Sequence, residues 1–351
     1  MSDKVVIVAM GAFTPVGECA WSSAAAVRAG VTGFEQHPFM LDTAGEPMRV
    51  ALSPTLDIGL QGVERFQALI FPAIEQALAP LEQLRREAPR TALALALPAA
   101  RPGLPETLET ELAKRTTKRW SRWFTSYAGF SAGHAAGLLA MRAAATKLSA
   151  GSLDACVVAG VDSYIEPDTL EWLEQCDQLH GAGPLNNAWG FIPGEAGAAL
   201  LLAREAVARH HDWEPLGTVL GLGQAHEPKR IKTETVCIGE GLTAAFCEAL
   251  AALPAGAKVS DVYCDMNGEP YRADEYGFTA LRTKEHFEAA SDFTAPADCW
   301  GDIGAAGSLL HTVLACAAGR KQYANRQMAF AWASAEGGER AAALIETPQG
   351  A

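Results

Sequence analysis

A histidine stands at the start of an otherwise plain stretch, SAGHAAGLLAMRAA, which covers residues 131–144. The stretch predicts a helix over Ala132–Leu148 that is rich in glycine and alanine, with His134 in its first turn. Because the N-terminus of a helix disfavours positive charge, we expect a neutral imidazole there. A neutral imidazole can act as a general base or as a transient nucleophile. The alternative is that His134 is a core residue that fills a pocket and has no chemical role.

The elements that must position this ring are visible as short, continuous apolar runs separated by helical patterns. Continuous rather than alternating apolar strands indicate a sheet that is covered on both faces, so the chain is of the α/β class. The predicted strands are Val5–Ala9, Thr91–Leu97, Ala155–Ala159, Ala198–Ala203, Thr218–Leu222, Val259–Cys264, Met328–Ala333 and Ala341–Ile345.

Two helices are apolar on nearly every face, Ala132–Leu148 and the stretch GAAGSLLHTVLACAAG at 304–319. A helix without a polar face must be buried on all sides. The two stretches resemble each other and occupy corresponding places, which indicates an internal duplication with two equivalent helices between two sheets. The charged segment Arg204–Pro215 is a plausible linker, so we expect one half at 1–205 and the other at 206–351.

Composition limits the class of protein and of partner. The chain has 351 residues, 49% apolar and 20% charged, with a net charge of −13, which argues against nucleic acid or an anionic membrane as the main partner. The longest apolar run, at 196–203, is too short to span a bilayer, and the N-terminal run is interpreted as a buried strand. Eight cysteines without a CxxC pair favour reduced core thiols in a cytoplasmic protein, and no cluster has the spacing of metal ligands.

Five stretches resemble, in the same order, motifs of the β-ketoacyl synthases of the thiolase superfamily. They are VVIVAMGAFTPVG (5–17), LSAGSLDACVVAGVDS (148–163), GFIPGEAGAALLLARE (190–205), IGEGLTAAFCEAL (238–250) and GDIGAAGSLL (301–310). The resemblance implies a thiolase-like, five-layered αβαβα fold made of two pseudo-repeats, a cap segment at about 100–130, and assembly as a dimer.

The resemblance also implies positions for the Cys-His-His triad of these enzymes. Counting back from Gly151 without a gap, His134 occupies the position of the acyl-carrying cysteine. The first histidine position falls on Asn267, or on Met266 if the alignment is anchored at Asp274. The second falls on Gly301. An asparagine at the first position could still donate a hydrogen bond to an oxyanion.

Condensation needs a thiol that holds the acyl chain and donors that stabilise the enolate. The substitutions therefore predict a non-catalytic synthase homologue that is a partner of an active synthase or binds an acyl group or acyl carrier protein in fatty-acid- or polyketide-like metabolism. One alternative is an acyltransferase or thioesterase-like enzyme that uses His134, with Cys264, Asp265 or Asp302 orienting the ring. Another is an active synthase with a differently placed cysteine, of which Cys156 is the nearest.

The predicted partners and ligands follow from the same resemblance. We expect a homodimer, or a heterodimer with an active synthase, and an acyl carrier protein as a further partner. No metal or cofactor is expected beyond a phosphopantetheine-linked acyl group bound as a ligand. The segment KRTTKRWSRWF at 114–124 is either a dock for an acidic carrier or a solvated helix with its tryptophans packed inward.

Overall fold

The computed structural model describes residues 4–230 and 232–348. The strands are β1 Val5–Phe13, β2 Phe34–Leu41, β3 Pro47–Ala51, β4 Thr91–Leu97, β5 Phe124–Ser131, β6 Ala155–Ser163, β7 Glu195–Arg204, β8 Gly217–His226, β9 Asp261–Cys264, β10 Met328–Ser334 and β11 Glu339–Glu346. The helices are α1 Ala20–Arg28, α2 Gly62–Glu82, α3 Leu108–Arg119, α4 Ala136–Ser149, α5 Pro167–Gln175, α6 Glu205–His210, α7 Glu240–Leu250, α8 Pro270–Thr283, α9 Ala297–Trp300 and α10 Gly307–Arg320.

Nine strands form one mixed sheet in the order β5-β4-β6-β7-β1-β8-β11-β10-β9. All eight predicted strands are confirmed, and β2, β3 and β5 were not predicted. The junction between the two halves of the sheet is a short antiparallel pairing of Val5–Ile7 in β1 with Gly217–Val219 in β8.

The two halves have corresponding strand orders. Read from the junction, one half runs β1-β7-β6-β4-β5 and the other runs β8-β11-β10-β9. The place that β5 takes beside β4 is represented in the second half only by isolated parallel bridges from Val259 to Phe287 and from Tyr263 to Thr294. We keep the division at residues 1–205 and 206–351 as a proposal.

The layers of the fold form because helices pack on the apolar faces of the large sheet. Helices α4 and α10 share the central core with inward-facing residues of β1, β4, β6 and β7 on one side and of β10 and β11 on the other. Helices α2 and α3 cover the outer face of the first half, and α7 and α8 cover that of the second. This arrangement is the predicted α/β fold with two helices between sheets.

Helix α10 is buried along its length, from Gly307 to Gly319, as its lack of a polar face predicts. The helix α4 packs closely on it at Gly137, where a Cβ atom would lie 2.5 Å from Ser308 Oγ and 2.7 Å from Leu309 Cγ. Within the described residues, none of the helices combines the length and apolar character that crossing a membrane requires.

Candidate functional site

His134 lies at the start of the first central helix, in a 3₁₀ turn over Gly133–Ala135 that directly precedes α4. The predicted helix start at Ala132 is therefore corrected: the α-helix begins at Ala136, and Gly133 has a φ of +56° that favours glycine. The histidine is only 6% exposed. The turn points the chain from the edge strand β5 into the central layer, which places the ring between the two halves.

Asp302 lies just before the second central helix, two residues ahead of the 3₁₀ turn Gly304–Ala306 that leads into α10. Its backbone is anchored in the segment that precedes β7: the Asp302 N–H donates to Ile192 O at 2.7 Å, and Gly194 N–H donates to Asp302 O at 2.8 Å. The starts of the two central helices thus lie side by side.

The two side chains form a buried ion pair. His134 Nε2 lies 2.9 Å from both Oδ1 and Oδ2 of Asp302. A carboxylate only accepts hydrogen bonds, so this geometry assigns a proton to Nε2. Asp302 also accepts hydrogen bonds from the Gly304 N–H at 2.9 Å and from Asn267 Nδ2 at 2.7 Å. No hydrogen bond is formed by His134 Nδ1 within the part of the chain that the structure describes.

The carboxylate of Asp302 shifts the His134 ring toward its protonated form, opposite to the direction expected from its place at the start of a helix. Burial by itself lowers the pKa of His134, but the charge of Asp302, with its hydrogen bond, outweighs both burial and the repulsion of Arg272 and raises that pKa above 6.5. Burial by itself raises the pKa of Asp302, but the neighbouring His134 and Arg272 hold it well below its usual range. The carboxylate at 2.9 Å therefore shifts the pKa of the ring in the opposite direction to the end of the helix.

Arg272 of α8 is a functional residue that the sequence analysis missed. Its side chain is 1% exposed; Nη1 donates to Asp265 Oδ2 at 2.8 Å and to Ser334 O at 3.0 Å, and Nη2 lies 3.3 Å from His134 Nε2. A signal was present in the sequence, because Arg272 lies in the first turn of the helix that follows β9, close to the end of that strand. Asp265 therefore reaches His134 through Arg272 and not directly.

Of the two residues at the first histidine position, Asn267 faces the site, whereas Met266 packs against the outer core of the second half. Asn267 Nδ2 donates to Asp302 Oδ2 at 2.7 Å and to Glu269 Oε2 at 2.9 Å. Both amide hydrogens are thus engaged with carboxylates. Asn267 lies beside Asp302, and its donors already have partners.

Gly301, at the second histidine position, lines the same site with backbone only. It has a φ of 72° and a ψ of −173°, a conformation that glycine alone adopts readily. A Cβ atom there would lie 2.5 Å from Ile192 O. The backbone at this position therefore has no room for a histidine side chain.

Two cavities meet at His134. Behind it lies a cavity of about 20 Å³, whose lining includes His311, Cys264, Asn267 and Asp302. That volume holds about one water molecule. In front lies a cleft of about 200 Å³, which is bordered by residues 99–101, 131–134 and 335–337 together with four aromatic or apolar side chains, Tyr164, Trp172, Leu173 and Phe191. The ring of His134 separates the two spaces.

The thiols nearest to the site are poor nucleophiles. Cys264 lines the small cavity, but burial raises the pKa of its thiol well above 9, and its Sγ donates to Thr294 O at 3.6 Å. Cys156 lies within β6, where burial raises its pKa to about 12. Thiolate formation, which nucleophilic cysteine chemistry requires, is disfavoured at both.

His311 of α10 completes the small cavity. It is 2% exposed, its Nδ1 has no hydrogen-bond partner among the described residues, and burial lowers its pKa to about 4. It is therefore neutral at pH 7, and its pKa is shifted in the opposite direction to that of His134.

The basic segment before β5 packs in the inward orientation. Trp120 and Trp123 are buried against the outer core of the first half, and Arg122 stacks 4.5 Å from the ring centre of Trp123. Arg115 pairs with Glu64 at 2.8 Å. Lys114 and Lys118 remain exposed on α3.

With the geometry in place, comparison with known proteins identifies the architecture. Residues 128–208, which carry His134 and the stretch 190–205, match the family model "Beta-ketoacyl synthase, N-terminal domain". No match was found among curated proteins.

Many solved structures share the fold over nearly the whole chain. One is described as a type II PKS acyl-carrier protein in complex with its ketosynthase bound to the hexaketide; it is 14% identical, with a TM-score of 0.82, over 99% of this chain and 100% of that chain. The ishigamide ketosynthase/chain length factor is 19% identical, with a TM-score of 0.74, over 98% and 99% of the two chains. The ketosynthase from module 6 of the bacillaene synthase of Bacillus subtilis 168 is 14% identical, with a TM-score of 0.78, over 99% of this chain and 72% of that chain.

These likenesses confirm the predicted thiolase-like fold and the resemblance on which it was based. Residues 128–208 match the β-ketoacyl synthase N-terminal model, and the chain has the fold of the solved ketosynthases over its described length.

Proposed function

We propose that this chain is a β-ketoacyl synthase homologue without condensing activity that serves as the partner subunit of an active synthase in fatty-acid- or polyketide-like metabolism. The observation that carries the proposal is the ion pair of His134 with Asp302 at the start of α4. The family loads its acyl chain on a cysteine at this point. An imidazole has no thiol on which an acyl thioester can form, and its Nε2 is already engaged with the Asp302 carboxylate.

In this proposal, the site also lacks free hydrogen-bond donors that could stabilise an enolate. Both amide hydrogens of Asn267 are donated to the carboxylates of Asp302 and Glu269, and Gly301 has no side chain that could donate. Loss of a single oxyanion donor costs on the order of 10²–10³ in rate. Decarboxylation of a malonyl group at this site would therefore proceed without the stabilisation on which the reaction depends.

The proposed partner contact is the free edge of the large sheet. Strand β5 is the terminal strand on the side of the first half, and its residues Thr125, Ser126 and Tyr127 are exposed. An unpaired edge strand is a template for a strand of a second chain. Because β5 leads directly into the turn that carries His134, a partner here would lie next to the site. A homodimer and a heterodimer with an active synthase both fit this edge.

We further propose that an acyl carrier protein docks on this subunit and that the cleft of about 200 Å³ in front of His134 receives its phosphopantetheine-linked acyl group. Two of the solved neighbours are described as a carrier protein with its ketosynthase and as a ketosynthase/chain length factor. The exposed lysines of the cap segment, Lys114 and Lys118, offer positive charge for an acidic carrier. The proposed compartment is the cytoplasm.

The proposal is tested in two ways, by an assay of condensing activity and by co-expression with an intact synthase. Incubation with acyl and malonyl thioesters of coenzyme A and of a carrier protein is expected to give no increase in intact mass and no release of carbon dioxide. Co-expression with an intact synthase is expected to give a stable complex in which synthase activity depends on this chain. An acyl adduct that thiol alkylation removes would refute the proposal.

A second function, an acyltransferase or thioesterase-like activity, is favoured by one specific observation. The cleft reaches His134, and Nδ1 of its ring forms no hydrogen bond within the described residues, so that Nδ1 is the one nitrogen left for chemistry. Hydrolysis of acyl thioesters would then be lost in His134→Ala and retained in His286→Ala, a histidine on the exposed turn after α8. Equal turnover by the two variants would eliminate this function.

A further inference from the structure

A second cluster of titratable side chains lies outside the site, where the end of β8 meets α7 and α8. Glu227 directly follows β8, Cys237 lies in the segment before α7, and Glu275 is in α8. One ligand atom from each residue lies within 4.8 Å of the other two. Both glutamates are fully buried and Cys237 is half-buried. The three side chains therefore converge on one point, and Cys237 is the member of the cluster that is partly exposed.

Glu227 is held in place by the backbone. Its Oε2 accepts the Gly241 N–H at 2.6 Å, and its Oε1 accepts the Lys229 N–H at 3.1 Å. Among the described residues no cationic side chain forms a salt bridge with it. Each of its oxygens keeps a lone pair free, so a buried, preoriented carboxylate is available to a cation.

Glu275 supplies the observation that points to a ligand. Its Oε1 accepts Arg340 Nε at 2.5 Å and the thiol of Cys237 at 3.7 Å. Its Oε2 is buried and has no hydrogen-bond partner among the described residues. An ionised oxygen left unpaired in the interior is costly, and native structures pair such groups with donors, water or metal ions.

The net charge of the cluster and the chemical type of its ligand atoms indicate which class of metal ion it suits. Two carboxylates beside one guanidinium leave a local charge of −1 while the thiol is protonated. A divalent cation bound by a thiolate and both carboxylates brings the sum to zero. Sulfur with oxygen at a site of three protein ligands suits zinc and not magnesium or calcium, which require oxygen ligands alone.

We propose that Glu227, Cys237 and Glu275 form a zinc-class metal site, with the fourth coordination position open to water from the side of Cys237. Binding forms a metal–sulfur bond and breaks the Cys237 S–H bond, whose proton goes to solvent; no oxidation or reduction takes place. The site ties the segment before α7 to α8 and to Arg340 at the start of β11.

Cobalt(II) provides the direct test, because a thiolate bound to it gives a charge-transfer band in the near ultraviolet. Tag-free, metal-stripped full-length protein is titrated with cobalt(II) and then with zinc(II). We expect one equivalent to give the band, zinc to abolish it, and zinc to raise the melting temperature. In Cys237→Ser the band disappears and zinc no longer raises the melting temperature. Glu227→Gln is expected to weaken cobalt binding at least about tenfold.

The matched control is Cys247→Ser, which removes an exposed cysteine from the neighbouring helix α7 and is expected to leave the titration unchanged. Two results would overturn the proposal: absence of a charge-transfer band in wild-type protein at excess cobalt, or a band that persists in Cys237→Ser. Circular dichroism of the variants, compared with wild type, confirms that each remains folded.

Discussion

At the scale of single residues, the decisive contact is the hydrogen-bonded pair of His134 and Asp302, which lie 168 residues apart in sequence. Breaking a buried ion pair by removing one partner leaves an uncompensated charge and costs about 3–5 kcal/mol. We expect Asp302→Asn to lower the free energy of unfolding by that order and to lower the pKa of His134, measured from its ring resonances by NMR.

The control for this variant is Asp212→Asn, which removes an exposed ion pair with Arg86 and retains a residue that tolerates the φ of 59° at that position. It is expected to change stability by less than about 1 kcal/mol. Equal effects of the two substitutions would show that the His134–Asp302 pair contributes no special stability.

The same pair predicts a pH dependence of stability. The pKa of His134 is raised in the folded state, so the stabilisation is fully present below the unfolded value of 6.5 and is lost as pH rises through the folded value. The pKa of His311 is lowered to about 4, so this residue changes the free energy of unfolding with pH only below pH 6.5. As pH rises above about 6.5, we expect the unfolding free energy in urea to fall in wild type and to fall less in Asp302→Asn. Parallel pH profiles would contradict the assignment.

Gly301 provides a further prediction at a single position. The resemblance places a histidine there, yet the φ of 72° and the distance of 2.5 Å that would separate an added Cβ from Ile192 O leave no space for one. Gly301→His is expected to destabilise the chain by at least about 2 kcal/mol in thermal or urea unfolding, since a strained conformation and an overlap combine. Restoring the family residue would therefore not restore condensation, and a stable variant with decarboxylase activity would disprove this account.

At the scale of elements, the contact between the two central helices depends on Gly137 in α4. An added Cβ would lie 2.5 Å from Ser308 Oγ and 2.7 Å from Leu309 Cγ of α10. Gly137→Ala is therefore expected to cost about 1–3 kcal/mol from overpacking, measured by urea unfolding. The control is Gly277→Ala in α8, where a Cβ meets nothing within 4 Å. Because alanine is the better helix former, that substitution is expected to stabilise by up to about 1 kcal/mol.

At the scale of the whole molecule, the large sheet ends on one side at β5, where Tyr127 is 47% exposed. If a second chain pairs with this edge, Tyr127→Lys places a charge in the interface and is expected to convert a dimer into monomers in light scattering at micromolar concentration. Leu281→Lys, at an exposed position of α8, is expected to leave the dimer intact. A dimer that survives Tyr127→Lys would place the contact elsewhere.

Some strands of the sheet could be predicted from the sequence and others could not. The central residues of β4, β6 and β7 form continuous apolar runs because both faces are covered, and that pattern is local and easily recognised. Strand β5, FTSYAGFS, was missed because it lies at an edge and several of its residues face solvent. Strands β2 and β3 form a separate two-stranded sheet; β2 is mostly exposed, and each of the two strands contains a proline.

The sequence by itself determined that two helices without a polar face lie at the centre, and that His134 begins the first of them. Both properties follow from the local pattern of apolar residues. The charge of that histidine was decided only by the tertiary structure, because Asp302 and Arg272 come from 168 and 138 residues away. Helix position alone predicts a neutral ring, whereas a carboxylate at 2.9 Å in a buried site favours the protonated one. Packing of the two halves against each other sets that distance.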